Sequence, residues 1–149
     1  MRSYWQTTRF GWMIIAAMFV VAIVEWPLAP PSIPTHWNGS GSIDRLGGKL
    51  QGLLLVPLSA ALTWGLVASV ALFEQGKFDA PVRRALISLG YAILLIFIGV
   101  FSDPVLWTNG VVLNVNFFLL PGMLAMCVAL ANLALRAAQE RSGRSALPG

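Results

Sequence analysis

Four long apolar runs, residues 10–28, 52–73, 85–101 and 111–135, constrain this chain more than anything else in it, because none of them carries a polar face. At 1.5 Å rise per residue, helices of that length reach roughly 26 to 38 Å, against a hydrocarbon core of about 30 Å. Lipid offers no partner to backbone N–H and C=O groups, so a spanning segment is either a helix or a strand of a closed barrel. These runs lack the two-residue alternation of a barrel strand. The expected fold class is all-α integral membrane, with four transmembrane helices and a structured extracytoplasmic loop after the first. Composition closes off the soluble alternative: with 57% hydrophobic and only 11% charged residues, 149 residues cannot supply a polar surface.

The basic residues orient the bundle. Arg2, Arg9, Lys77, Arg83, Arg84, Arg136, Arg141 and Arg144 fall on one side of it, and only Arg45 and Lys49 on the other. Positive-inside bias then places both termini in the cytoplasm, and the 31–49 loop and a short 102–110 turn outside. Tryptophans agree, with Trp5 and Trp12 at the inner boundary and Trp26, Trp37 and Trp107 at the outer one. Trp64 falls at mid-membrane and is expected to pack against a neighbouring helix. The net charge of +4 is accounted for by this bias and by anionic inner-leaflet lipid, so the bilayer is the expected partner and nucleic acid is not.

Arg2, Arg9 and the 13–24 run resemble a secretory signal, but Glu25-Trp26-Pro27 interrupts the pattern and no clean cleavage site follows, so the first run is expected to stay as a span. Pro57 and Pro121 are expected to kink their helices, while Gly65 with Ser69, Ser88 with Ala92 and Ala125 with Ala129 offer small-residue faces for close approach. The lone Cys127 lies deep in the fourth span, out of reach of any disulfide. The 74–84 loop is short and charged. Residues 139–149 are rich in Arg, Ser, Gly and Pro without apolar period, so beyond a short helical extension a disordered cytoplasmic tail is expected there, leaving one four-helix membrane domain over 1–138.

Specific chemistry concentrates in the loop after the first span. Pro31-Ser32-Ile33-Pro34-Thr35-His36-Trp37-Asn38, followed by Gly41, Asp44 and Lys49, holds the only histidine of the chain. Pro30, Pro31 and Pro34 stiffen the exit from the first helix, Gly39-Ser40-Gly41 supplies a reversal, and Asp44 can cap or turn the segment leading to Lys49. The result is a lid with a pinned polar tip. Its bland reading is structural: His36 locking the loop, Asn38 and Asp44 making turns, Lys49 snorkelling to the headgroups. The proline-rich exit keeps the loop near the end of the first helix, and Glu25 at partial depth needs a partner or water. The loop is therefore expected to fold back with His36 near a carboxylate, Glu25 in preference to Asp103.

The run Pro31-x-Ile33-Pro34-Thr35-His36-Trp37-Asn38-x-x-Gly41-x-x-Asp44-x-x-x-x-Lys49 after a first membrane helix resembles the signature of the uncharacterised membrane domain at the N-terminus of SdpI-type immunity proteins. Ile43 stands where that pattern commonly has proline, and the chain shows four spans where longer members have more. The resemblance implies a bacterial inner-membrane protein that binds, senses or confers immunity toward a secreted peptide, with a peptide toxin or other extracytoplasmic ligand and a cytoplasmic regulator as partners.

Other function classes find less in the residues. A zinc enzyme needs at least three protein ligands, whereas this chain offers one histidine outside and one cysteine in the membrane. Ser40 or Ser42 with His36 and Asp44 makes only a nominal triad, with no nucleophile elbow around it. A small transporter or channel subunit is the main alternative: Glu25, Asp103, Asn114 and Asn116 share one predicted depth and could line an outward-facing polar pocket, although no acidic residue lies at the mid-plane. A membrane-embedded enzyme comes second. The site residues expected from the sequence are Glu25, His36, Asn38, Asp44, Lys49 and Asp103, acting in binding rather than catalysis, with no cofactor or metal and with oligomeric state unread.

Overall fold

A computed structural model describes residues 2–73 and 80–145, in the order α1 (Arg2–Glu25), β1 (Ser32–Trp37), β2 (Ile43–Gly48), a π-helical turn (Leu50–Leu54), α2 (Leu55–Phe73), α3 (Ala80–Thr108) and α4 (Asn116–Ser145). Lys77 and the rest of the 74–79 link lie outside the described residues. Among the described residues, four stretches are long and apolar enough to cross a membrane: Thr8–Glu25, Leu50–Val70, Pro81–Thr108 and Asn116–Arg136. The four-span membrane class expected from the apolar runs is therefore the fold. What the sequence did not signal is β structure, since the polar loop is a two-stranded antiparallel hairpin at the end of the bundle where α1 and α3 finish and α2 and α4 begin.

Each helix buries a narrow stripe and leaves the rest of its apolar surface open, as lipid requires. On α1 the stripe is Gly11, Ile15, Met18 and Ala22; on α2 it is Ala60, Trp64 and Ala68. Val20, Ile23, Leu62 and Leu66 point the other way and are well exposed. α3 packs against every other helix, whereas α4 packs on α3 alone among the helices. Backbones approach closely where side chains are missing, with Gly11 and Gly90 against Trp64, Gly99 against Phe118 and Gly122 against Ile96. Trp64 packs as expected: it is 1% exposed, with its ring 4.7 Å from that of Tyr91.

Two boundaries differ from the sequence reading. Residues 102–108, expected as an outer turn, continue α3 through Pro104 to Thr108. Polar side chains there bond back to the carbonyl four residues earlier, Ser102 Oγ to Ile98 at 2.7 Å, Thr108 Oγ1 to Pro104 at 2.9 Å and Asn109 Nδ2 to Val105 at 2.8 Å, so their polar groups are satisfied within the helix. Conversely, residues 111–115 are not helical, and α4 starts only at Asn116, whose N–H is taken at 3.0 Å by the side-chain oxygen of Asn114. A π-helical turn precedes α2, closed by the Leu55 N–H on the Leu50 carbonyl, and both α2 and α4 stay helical through Pro57 and Pro121. The helical extension of α4 reaches Ser145, and 146–149 lie outside the described residues.

Candidate functional site

The hairpin owes its shape to local chemistry. Ile33, Thr35 and Trp37 favour extended backbone, and Pro34 is tolerated because a two-stranded sheet has only edges. Asn38 organises the reversal: its Oδ1 accepts the Ser40 N–H at 3.0 Å, the Ser40 hydroxyl at 2.7 Å and the Ser42 N–H at 3.0 Å. Gly41 takes φ +79° and donates its N–H to the Asn38 carbonyl at 2.9 Å. It is also pressed against Asn114, so a side chain there would be both strained and blocked.

The hairpin register brings the two most chemical residues together. His36 pairs with Arg45 between the Pro34–Leu46 and Trp37–Ile43 pairs, so Thr35 and Asp44 are each left without an opposite partner and the two register shifts cancel. Here Asp44 Oδ1 lies 2.6 Å from His36 Nδ1, with both side chains open to solvent at 40% and 55% exposure. The expected partner, Glu25, is engaged elsewhere, by Asn109 Nδ2 at 3.3 Å to each carboxylate oxygen. The correction has a physical cause: the antiparallel register delivers a carboxylate to His36 from eight residues away, before the loop needs to reach α1.

The hairpin is fastened to the helices at several points. Trp37 Nε1 donates to Asp103 Oδ2 at 2.8 Å, and Asp103, 2% exposed, is inside α3 rather than beyond it as the sequence suggested. Ile33, fully buried, seats against Gly52 of the π-helical turn, where a side chain would collide with it. At the tip, Asn114 Nδ2 donates to the Ser40 carbonyl at 2.7 Å and the Val115 N–H to the Gly41 carbonyl at 3.3 Å. Lys49 Nζ bonds the Trp26 carbonyl at 2.9 Å, closing the exit from α1.

The expected residues thus divide by what they touch. His36 and Asp44 form an exposed dyad; Asn38, Lys49, Glu25 and Asp103 are bound to backbone or to other side chains. Asn114 grips the hairpin tip, so Glu25, Asp103 and Asn114 have separate partners. Trp37 is the residue that sequence reasoning missed. Its buried-facing N–H needs an acceptor, and Asp103 is one of the few acids at this end, but their pairing across 66 residues had no local signal.

Two clefts flank the hairpin. One, of about 570 Å³, is lined by residues 41–46 and by Trp107, Val112, Leu113 and Asn114. The other, of about 410 Å³, lies between the hairpin, the start of α2 and α3. Chemically, an imidazole whose Nδ1 faces a carboxylate presents Nε2 outward as a hydrogen-bonding group. The Ser40 hydroxyl is committed to Asn38 and lies 3.3 Å from that of Ser42, with no hydrogen bond from either to His36 among the described residues.

Residues 13–61, from α1 through the hairpin into α2, match the family described as Domain of unknown function (DUF1648). Over 54 residues the chain is 32% identical to the "Uncharacterized membrane protein YbgB" of Bacillus subtilis (strain 168), covering 36% of this chain and 59% of that protein. The match therefore spans under two thirds of the relative's length. No solved structure matches.

Proposed function

We propose that this chain is a small bacterial inner-membrane protein that captures an extracytoplasmic peptide or small ligand at the hairpin, in immunity or sensing of the SdpI type. The observation that carries this reading is the 570 Å³ cleft. Among the described residues β2 pairs only with β1, so its other edge is unpaired there, and the cleft runs along consecutive residues 41–46 with the non-helical 112–114 segment opposite. An unpaired strand edge is a template for an added extended segment, with main-chain hydrogen bonds giving affinity. Asp44 lines the cleft, and His36, bonded to it, supplies specificity at the rim.

Exposure makes the test clean. Exposed ion pairs contribute about 0–1 kcal/mol to stability, so His36→Ala and Asp44→Ala are expected to melt in detergent within a few degrees of the parent. In a strain lacking the native gene, both are expected to lose protection against membrane-active secreted peptides that the parent chain restores. Full protection by the folded double variant would refute a binding role for the dyad.

The extracytoplasmic placement of the hairpin rests on the distribution of basic residues. In a Cys127→Ala background, a single cysteine at Ser40 is expected to react with an impermeant maleimide in intact cells, and one at Ser145 only after lysis. Labelling at Ser145 in intact cells would invert the orientation and remove the extracytoplasmic ligand.

A further inference from the structure

The second cleft differs in character from the first. Its floor is apolar, made by Leu55 of α2 with Val100 and Pro104 of α3, and its rim carries Arg45 and Gln51. Neither the Arg45 guanidinium nor the Gln51 amide has a hydrogen-bond or ion-pair partner among the described residues. The other basic side chains at this end are engaged, His36 with Asp44 and Lys49 with the Trp26 carbonyl. A guanidinium keeps its charge at any physiological pH and its planar donors match a phosphate. The floor also does not end at the cleft. Leu55, Leu58, Leu62 and Leu66, three or four residues apart on α2, are 53%, 50%, 65% and 68% exposed and continue from it as one apolar track down the helix.

We infer that this groove binds an anionic glycerophospholipid, its phosphate on Arg45 and Gln51 and one acyl chain along the leucine track of α2. The polarity profile is that of an amphiphile: charge at the rim, where the helix meets the headgroup layer, and hydrocarbon below. Volume is adequate, since about 410 Å³ falls inside the roughly 300–1,000 Å³ common for small-ligand sites. This site is separate from the strand-edge cleft, although Arg45 and Leu46 line both.

The test is native mass spectrometry and thermal melting of the full chain in detergent, with phosphatidylglycerol, phosphatidylcholine of the same acyl chains, or inorganic phosphate added. Phosphatidylglycerol is expected to be retained preferentially and to raise the melting temperature. Losing a charge-assisted hydrogen bond corresponds to about a tenfold or greater loss of affinity, so Arg45→Gln is expected to remove the preference while leaving the lipid-free melting temperature unchanged. Arg45→Lys should retain part of it. Equal retention of the two lipids, or a preference that survives Arg45→Gln, overturns the inference; an equal shift from inorganic phosphate overturns its lipid half. His36→Ala is expected to leave the lipid preference intact, so the dyad's role at the strand edge stands or falls separately.

Discussion

Replacing Gly11 with valine is expected to break the seam between α1 and α2 and to lower the melting temperature in detergent more than any other single change considered. A Cβ at Gly11 runs into the indole of Trp64, at Cε2, Cζ2 and Nε1. The indole cannot retreat, because Gly90 lies against its other side and Tyr91 leans on it at 51°. Overpacking a core usually costs about 1–3 kcal/mol, and a rigid bicyclic ring held between two helices puts this site at the upper end or beyond. Trp64 Nε1 has no hydrogen-bond partner among the described residues, so the ring is held by shape alone. Gly11→Ala combined with Trp64→Leu should therefore be more stable than Gly11→Ala by itself. A Gly11→Val protein that melts with the parent would mean that α1 does not pack on Trp64.

The second large effect is expected at Trp37 and Asp103, the bond that pins the hairpin to α3. Trp37→Phe leaves the Asp103 carboxylate, 2% exposed, without the donor that now satisfies it at 2.8 Å. Hydrogen bonds to charged groups contribute about 1.5–3 kcal/mol, and a buried charge stripped of its partner costs more. Trp37→Phe with Asp103→Leu removes both polar groups and is expected to recover much of the loss, a non-additivity that a double-mutant cycle measures directly. Hydrogen exchange should localise the damage of the single variant to 32–48 while α2 and α4 stay protected. Strict additivity would show that the two side chains do not interact.

This bond also bears on the proposed recognition role, because it makes the hairpin rigid. Two-stranded sheets are marginal alone. Here the pair is held from below by Ile33 and Trp37 and at its tip by Asn114, so the strand edge beside the proposed ligand is fixed before anything binds.

The membrane class, the number of spans and the ordered reversal after the first span were legible in the sequence because each rests on a local property. Apolar length selects a spanning helix whatever surrounds it, and proline, glycine and asparagine between two such runs announce an ordered reversal. Asn38 and Gly41 do in the structure what their side chains allow anywhere. Tertiary structure decided everything that depends on which elements meet. Trp37 with Asp103, Asn114 with Ser40 and Asn109 with Glu25 are separated by 66, 74 and 84 residues, and no periodicity encodes such pairs. The His36–Asp44 dyad is closer in sequence, yet it exists only because the strands pair in this register, with Pro34 against Leu46 and Trp37 against Ile43; a one-residue slip would turn one of the two side chains to the other face. α3 runs past its apolar limit, where the Asp103 carboxylate meets the Trp37 N–H of the hairpin, a contact supplied by packing rather than by hydrophobic length.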